Sequence, residues 1–97
     1  MIRHTVVFNL KHATGSLQEK AFLRDVKAAL EDIPGVKNFE VLRQTNGAAD
    51  YRFALTMEFA DRAAREGYNK HPRRTKFLKD RWDREVSRSL EVDYEPL

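Results

Sequence analysis

The sequence predicts an α+β protein in which a four-stranded antiparallel sheet carries its helices on one face. Three observations predict it: a dense β-forming stretch at Ile2–Leu10, a capping box at Ser16–Glu19 that opens an amphipathic helix, and a strict apolar alternation from Tyr51 to Phe59. At 97 residues the chain has material for one small core, so residues 1–97 are read as a single domain.

In the first stretch, His4, Val6, Phe8 and Leu10 share one face by the two-residue period of a strand, and Thr5, Val7 and Asn9 share the other. A strand wanted on both sides lies inside a sheet. Helices of the same chain can cover one side; the other needs a second cover, which so short a chain can scarcely supply.

Lys11–Gly15 breaks the strand. Ser16 and Glu19 stand at the spacing in which a hydroxyl and a carboxylate satisfy the first free amides of a helix. Phe22, Val26, Ala29, Leu30 and Ile33 then form one stripe, with Glu19, Lys20, Arg24, Lys27, Glu31 and Asp32 mainly outside it, and Pro34-Gly35 ends the helix. Val36–Arg43 reads as a second strand, with Phe39 and Val41 on one face and Glu40 and Leu42 on the other. Asn46-Gly47 favours a hairpin turn into the third strand, where Tyr51, Phe53, Leu55, Met57 and Phe59 alternate with polar or small residues. Asp61 can cap a helix to about Asn69. Pro72 suits the first turn of another that runs to about Glu85, with Thr75, Leu78, Trp82 and Val86 along its inner line. Leu90, Val92 and Tyr94 against Glu91, Asp93 and Glu95 give a last strand.

The order β-α-β-β-α(α)-β is that of a ferredoxin-like fold with the first and third strands central. Its helix-free sheet face then holds Val7 and Leu42 among polar neighbours. A second copy of the chain can bury that patch twice, so a homodimer is expected.

Lys and Arg outnumber Asp and Glu by 18 to 15, a formal +3, which allows acidic partners without requiring them. Lys70, Arg73, Arg74, Lys76, Lys79, Arg81 and Arg84 make a basic run around the third helix, interrupted by Asp80 and Asp83. It can contact phosphates, but the ordinary account is a solvated, internally paired face. RNA-recognition domains of this topology stack bases on aromatics of the open sheet face. Here Tyr51, Phe53 and Phe59 share the apolar parity of the core, so nucleic acid is not the expected partner. There is no cysteine, and the opening residues do not read as a signal peptide or a membrane span, so a cytoplasmic location is expected. The histidines form no helical metal-binding pair and the four glycines are isolated, so neither a metal nor a nucleotide cofactor is expected.

His4, Tyr68 and His71 are the combination that carries chemistry if one cavity joins them: imidazoles can move a proton near neutral pH, and a phenol can orient a carbonyl. The plain alternatives are a hydrogen-bonded core histidine at His4, a ring filling the gap between helix and sheet at Tyr68, and a helix cap at His71.

Ile2-Arg3-His4, Ile33-Pro34-Gly35-Val36, Phe39-Glu40-Val41, Tyr51, Phe59, Tyr68 with His71-Pro72, Phe77 and Val92-Asp93-Tyr94 together resemble the stress-responsive A/B barrel domain family over nearly the whole chain. The resemblance implies ferredoxin-like protomers whose sheets associate into a dimeric α+β barrel. The family includes plant stress-associated proteins, bacterial members without an assigned activity and a plant polyketide cyclase that works by intramolecular aldol condensation. By resemblance that cyclase's catalytic tyrosine falls on Tyr68, its first-strand pocket histidine on His4, the histidine of its His-Pro pair on His71, and its catalytic histidine on Arg74. An Arg stays protonated and cannot serve as the general base; Arg74 can instead orient a carboxylate or stabilise an enolate while Tyr68 donates a hydrogen bond. The resemblance therefore implies a small dimeric protein of uncertain activity with an aromatic or oxygenated ligand. The alternatives are a cofactor-independent cyclase or isomerase with a modified pocket, and nucleic-acid or protein binding through the basic third helix.

Overall fold

Alternation and capping place the regular elements close to where the sequence expects them. The computed structural model describes residues 1–97 as β1 (Ile2–Leu10), α1 (Leu17–Leu30), β2 (Lys37–Arg43), β3 (Phe53–Phe59), α2 (Arg62–Lys70), α3 (Pro72–Phe77), a π-helical turn (Leu78–Trp82), α4 (Asp83–Glu85) and β4 (Val86–Tyr94). The sheet order is β2-β3-β1-β4, and every neighbouring pair is antiparallel. β1 and β3 are thus central, as the ferredoxin-like order requires.

The core lies between the sheet and the helices. Val6, Phe8, Phe53, Leu55, Met57 and Phe59 come from the sheet, and Phe22, Val26, Leu30, Ile33, Tyr68 and Phe77 meet them from the other layer. Each large apolar side chain taken fully out of water contributes about 1.5–3 kcal/mol, so these two central strands and α1 dominate the packing energy.

Ser16 caps α1, its Oγ accepting from the Glu19 amide at 3.1 Å. The return bond reaches one residue further back than the simple box implies: the Gly15 amide donates to Glu19 Oε1 at 3.1 Å, where Gly15 has φ +75°. This draws Glu19 into the protein. It is buried, contrary to the expectation that it would stay outside the stripe, and Arg52 Nη1 stands 3.7 Å from its Oε2. α1 stops at Leu30, ahead of Pro34, and Ile33 is buried beyond the helix end. Gly35 has φ +91°, a backbone conformation that residues with a side chain rarely adopt, so the link into β2 needs the freedom of glycine.

Asn46-Gly47 does not form a tight two-residue hairpin. The β2–β3 link is longer, and the Asn46 side chain turns it by accepting from the Ala48 amide at 3.1 Å. A second departure lies in the third helix. Thr75 is exposed and Phe77 is buried, because the chain passes from α3 into a π turn. Phe77 and Trp82 are five positions apart, yet their rings sit 5.7 and 6.0 Å from that of Phe22. A turn closed by i→i+5 hydrogen bonds stacks such residues, where a regular α-helix would separate them.

Cross-strand register defines the open sheet face. Leu42 pairs with Ala54, Ala54 with Val7, and Val7 with Leu90, so one apolar row crosses all four strands. Its ends, Leu42 and Leu90, are 42 % and 52 % exposed. No helix of the protein is long and apolar enough to cross a membrane.

Candidate functional site

β1 turns His4 toward the helices by the same parity that buries Val6 and Phe8. The register sets His4 opposite Asp93 of β4, so both side chains project to the helix side of the sheet. His4 Nδ1 lies 2.5 Å from Asp93 Oδ1, and its Nε2 lies 3.5 Å from Glu91 Oε1. Arg65, on α2, completes a charged cluster, with Nε 3.4 Å from Asp93 Oδ2 and Nη2 3.7 Å from Glu91 Oε1.

His4 is 1 % exposed. Burial lowers its pKa below the ordinary value; the Asp93 hydrogen bond opposes that shift, and the positive charge of Arg65 reinforces it. A neutral imidazole that donates Nδ1–H to a carboxylate keeps its Nε2 lone pair, and with it the capacity to accept a proton.

α2 carries Tyr68 inward on the side of Ala64, after Asp61 has capped the helix by accepting from the Ala64 amide at 2.9 Å. The Tyr68 ring meets the His4 ring edge-on at 6.0 Å and lies 5.3 Å from Phe59. Burial pushes the Tyr68 phenol above its usual pKa, and the Arg74 guanidinium beside it works against that shift. The phenol is therefore a neutral hydrogen-bond donor at neutral pH. The Arg74 guanidinium sits over the Tyr68 ring, 5.4 Å from its centroid, and Nη1 donates to the Asn69 carbonyl at 3.1 Å.

A cavity of about 400 Å³ joins these groups. His4, Tyr68, Arg74 and Glu91 line it together with Val6, Leu30, Leu55, Leu78, Trp82, Asp83, Ser89 and Leu90. Its size and mixed wall, largely apolar with a few convergent polar groups, are those of small-molecule sites. Three of the four residues singled out in the sequence thus share one cavity. His71 stands apart: its Nδ1 accepts from the Arg73 amide at 3.2 Å, which caps α3, and it is not among the lining residues. A second cavity of about 340 Å³, with a mostly charged wall, lies against Arg65 and Asp93.

Asp93, Glu91 and Arg65 join the site through the fold: the register of β4 on β1 pairs His4 with Asp93, whereas the sequence shows only the alternation of Glu91, Asp93 and Glu95 and the place of Asp93 in the resemblance, with no sign of a role beside His4. No group of His, Asp and Glu converges to hold a metal ion.

The basic run is partly spent within the protein. Lys76 pairs with Asp80 at 2.5 Å. Arg81 reaches Asp25 at 2.7 Å and also pairs with Glu85, which in turn meets His12 at 2.7 Å. Arg73 donates to the Ala28 carbonyl at 3.1 Å. Lys70, Lys79 and Arg84 are exposed and make no salt bridge.

Comparison with known proteins gives the chain relatives in sequence and in fold. Residues 2–96 match the family described as Stress responsive A/B Barrel Domain. A Dabb family protein with a ferredoxin-like fold from Mesorhizobium loti is 56 % identical, with 99 % of this chain and 96 % of that chain covered and a TM-score of 0.97. A dimeric protein of unknown function and ferredoxin-like fold from Bacteroides fragilis is 25 % identical, with 98 % and 95 % covered and a TM-score of 0.71. A hydroxynitrile lyase from Passiflora edulis shares the fold at 17 % identity, with 96 % and 90 % covered and a TM-score of 0.81. No curated protein matches the chain.

Proposed function

The chain belongs to the stress-responsive A/B barrel domain family, and from that premise we propose that it acts as a single-domain protomer of a cytoplasmic homodimer that takes a small aromatic or otherwise oxygenated ligand into the cavity beside Tyr68. The observation that carries this is the cavity itself, with His4, Tyr68 and Arg74 on one wall and Val6, Leu30, Leu55, Leu78 and Trp82 around the rest. An apolar body packs against the aliphatic and indole surfaces. The ligand's oxygen is met by the Tyr68 hydroxyl and the Arg74 guanidinium, both donors.

The homodimer rests on the apolar row Leu42, Ala54, Val7 and Leu90 across the open sheet face. The Bacteroides fragilis relative is described as dimeric, and face-to-face pairing of two such sheets buries the same row twice.

A second reading, a cofactor-independent cyclase or isomerase, is favoured by the Asp93–His4 pair. Asp93 fixes the proton on Nδ1, so that Nε2 can take a proton from a carbon activated by an adjacent carbonyl, while Tyr68 donates to the oxygen that gains charge.

The experiment is an amide NMR titration of the full chain with small phenols, aryl ketones and aryl carboxylic acids. Shifts confined to Val6, Leu55, Tyr68 and the Trp82 indole are expected for at least one class. A panel that moves none of these signals would sink the proposal.

A further inference from the structure

Arg74 is the one permanently charged cation on the cavity wall, and it has no carboxylate partner. Two acidic residues share that wall. Glu91 is engaged by Arg65 and His4, and Asp83 lies out of salt-bridge range of Arg74. The guanidinium has five N–H donors in a planar fork; besides the neighbouring Tyr68 hydroxyl, it is engaged by one bond, to the Asn69 carbonyl. That bond and the Tyr68 ring beneath it hold the fork in place, so little side-chain entropy remains to be lost when an anion arrives. A half-buried, positioned and unpaired cation beside an apolar cavity is an incomplete ion pair.

Resting on the pocket proposed above, we infer that Arg74 completes that pair with the carboxylate of a hydrophobic monocarboxylate, whose hydrocarbon body lies against Leu30, Leu55, Leu78 and Trp82. The shape of the fork matches two carboxylate oxygens side by side. The charge matches as well: one guanidinium neutralises one negative charge, whereas Glu91 and Asp83 on the same wall repel a dianion such as a phosphate monoester. With the carboxylate at Arg74, the carbons next to it fall toward Tyr68 and His4, because the guanidinium covers the Tyr68 ring and that ring meets His4 at 6.0 Å.

The test uses phenylacetate, 3-phenylpropanoate and octanoate, each beside its neutral primary amide, at a pH where the acids are ionised. Trp82 is the only tryptophan of the chain and lines the cavity, so its emission reports occupancy. Wild-type protein is expected to bind at least one acid about tenfold more tightly than its amide, on the order of 1.4 kcal/mol. In Arg74→Gln the acid should fall to the affinity of the amide while amide binding persists, and Arg74→Lys, which keeps the charge but not the fork, should recover only part of the preference. Amides that bind as well as acids in the wild type would overturn the carboxylate assignment and leave the pocket standing. An acid preference that survives Arg74→Gln, or that is undiminished in Arg74→Lys if the former does not fold, would overturn it too. Acids and amides that all fail to bind would remove this inference, and with the silent NMR panel they would remove the pocket as well.

Discussion

Asp93→Ala isolates the interaction on which the His4 geometry depends. In the native protein Asp93 accepts from His4 Nδ1 at 2.5 Å and pairs with Arg65 Nε at 3.4 Å. His4 is nearly inaccessible to water, whereas the Asp93 side chain is 46 % exposed. The carboxylate itself therefore loses little hydration on folding, and truncating it leaves a small gap at the surface rather than a core void. The cost comes from the groups left behind. A buried N–H stripped of its acceptor costs about 1–3 kcal/mol. Arg65 keeps Glu91, which limits its share, so a total near 2 kcal/mol is expected. For a domain of about 100 residues that is a fall in Tm of roughly 8–16 °C.

Asp93→Asn separates hydrogen bonding from charge. Its side-chain oxygen still accepts from Nδ1–H, so about half or less of the alanine loss is expected. Urea unfolding of wild type and both variants at pH 7.5 measures the differences directly. A loss below about 0.5 kcal/mol in Asp93→Ala, or an Asn variant less stable than the Ala variant, would refute the claim that a carboxylate acceptor holds buried His4.

His4 has a folded-state pKa below its unfolded value of 6.5, so the unfolded chain binds its proton first; stability should be whole above pH 6.5 and decline as pH falls from 6.5 through the folded value. An NMR titration of His4 with its midpoint at or above 6.5 would contradict this. Ser16→Ala removes the acceptor for the Glu19 amide and should cost about 1 kcal/mol in urea unfolding; an unchanged midpoint would show that the Gly15–Glu19 bond suffices to hold the helix start. Leu90→Asp places a carboxylate in the apolar row of the open face and should turn a dimer into a folded monomer by sedimentation, with little change in monomer circular dichroism; an undisturbed dimer would move the interface off that face.

Much of the architecture can be read from local pattern, because period-two alternation and helix capping act over a few residues. The alternation of Phe53–Phe59 and the caps at Ser16 and Asp61 are of that kind. The exceptions are longer-ranged. Thr75 looks like a core position if the helix is assumed regular, but the π turn shifts the inward register and brings in Phe77 instead. Glu19 has the appearance of a surface carboxylate until the chain folds back at Gly15. In the site, Tyr68 and His4 carry chemistry in their own side chains and stand out in one dimension. Asp93 stands out only once β4 is aligned antiparallel to β1, nearly a whole chain away in sequence.

That alignment also gives β4 two distinct duties. Leu90 and Val92 pair with Val7 and Thr5 and face the open side of the sheet, while Glu91 and Asp93 pair with Val6 and His4 and face the helices. The alternation follows from strand geometry, and a one-residue slip would exchange the two sets. His4 would then meet Leu or Val in place of its carboxylate, and the charged pair would break the apolar row. Two partners oppose such a slip from the helix side, Arg65 on both carboxylates and His4 on Asp93. β4 is an edge strand, with only β1 beside it, so its register has no second neighbour to enforce it. The charged cluster therefore does more than tune an imidazole. It fixes which side chains β4 turns to the helices and which it turns to the open face.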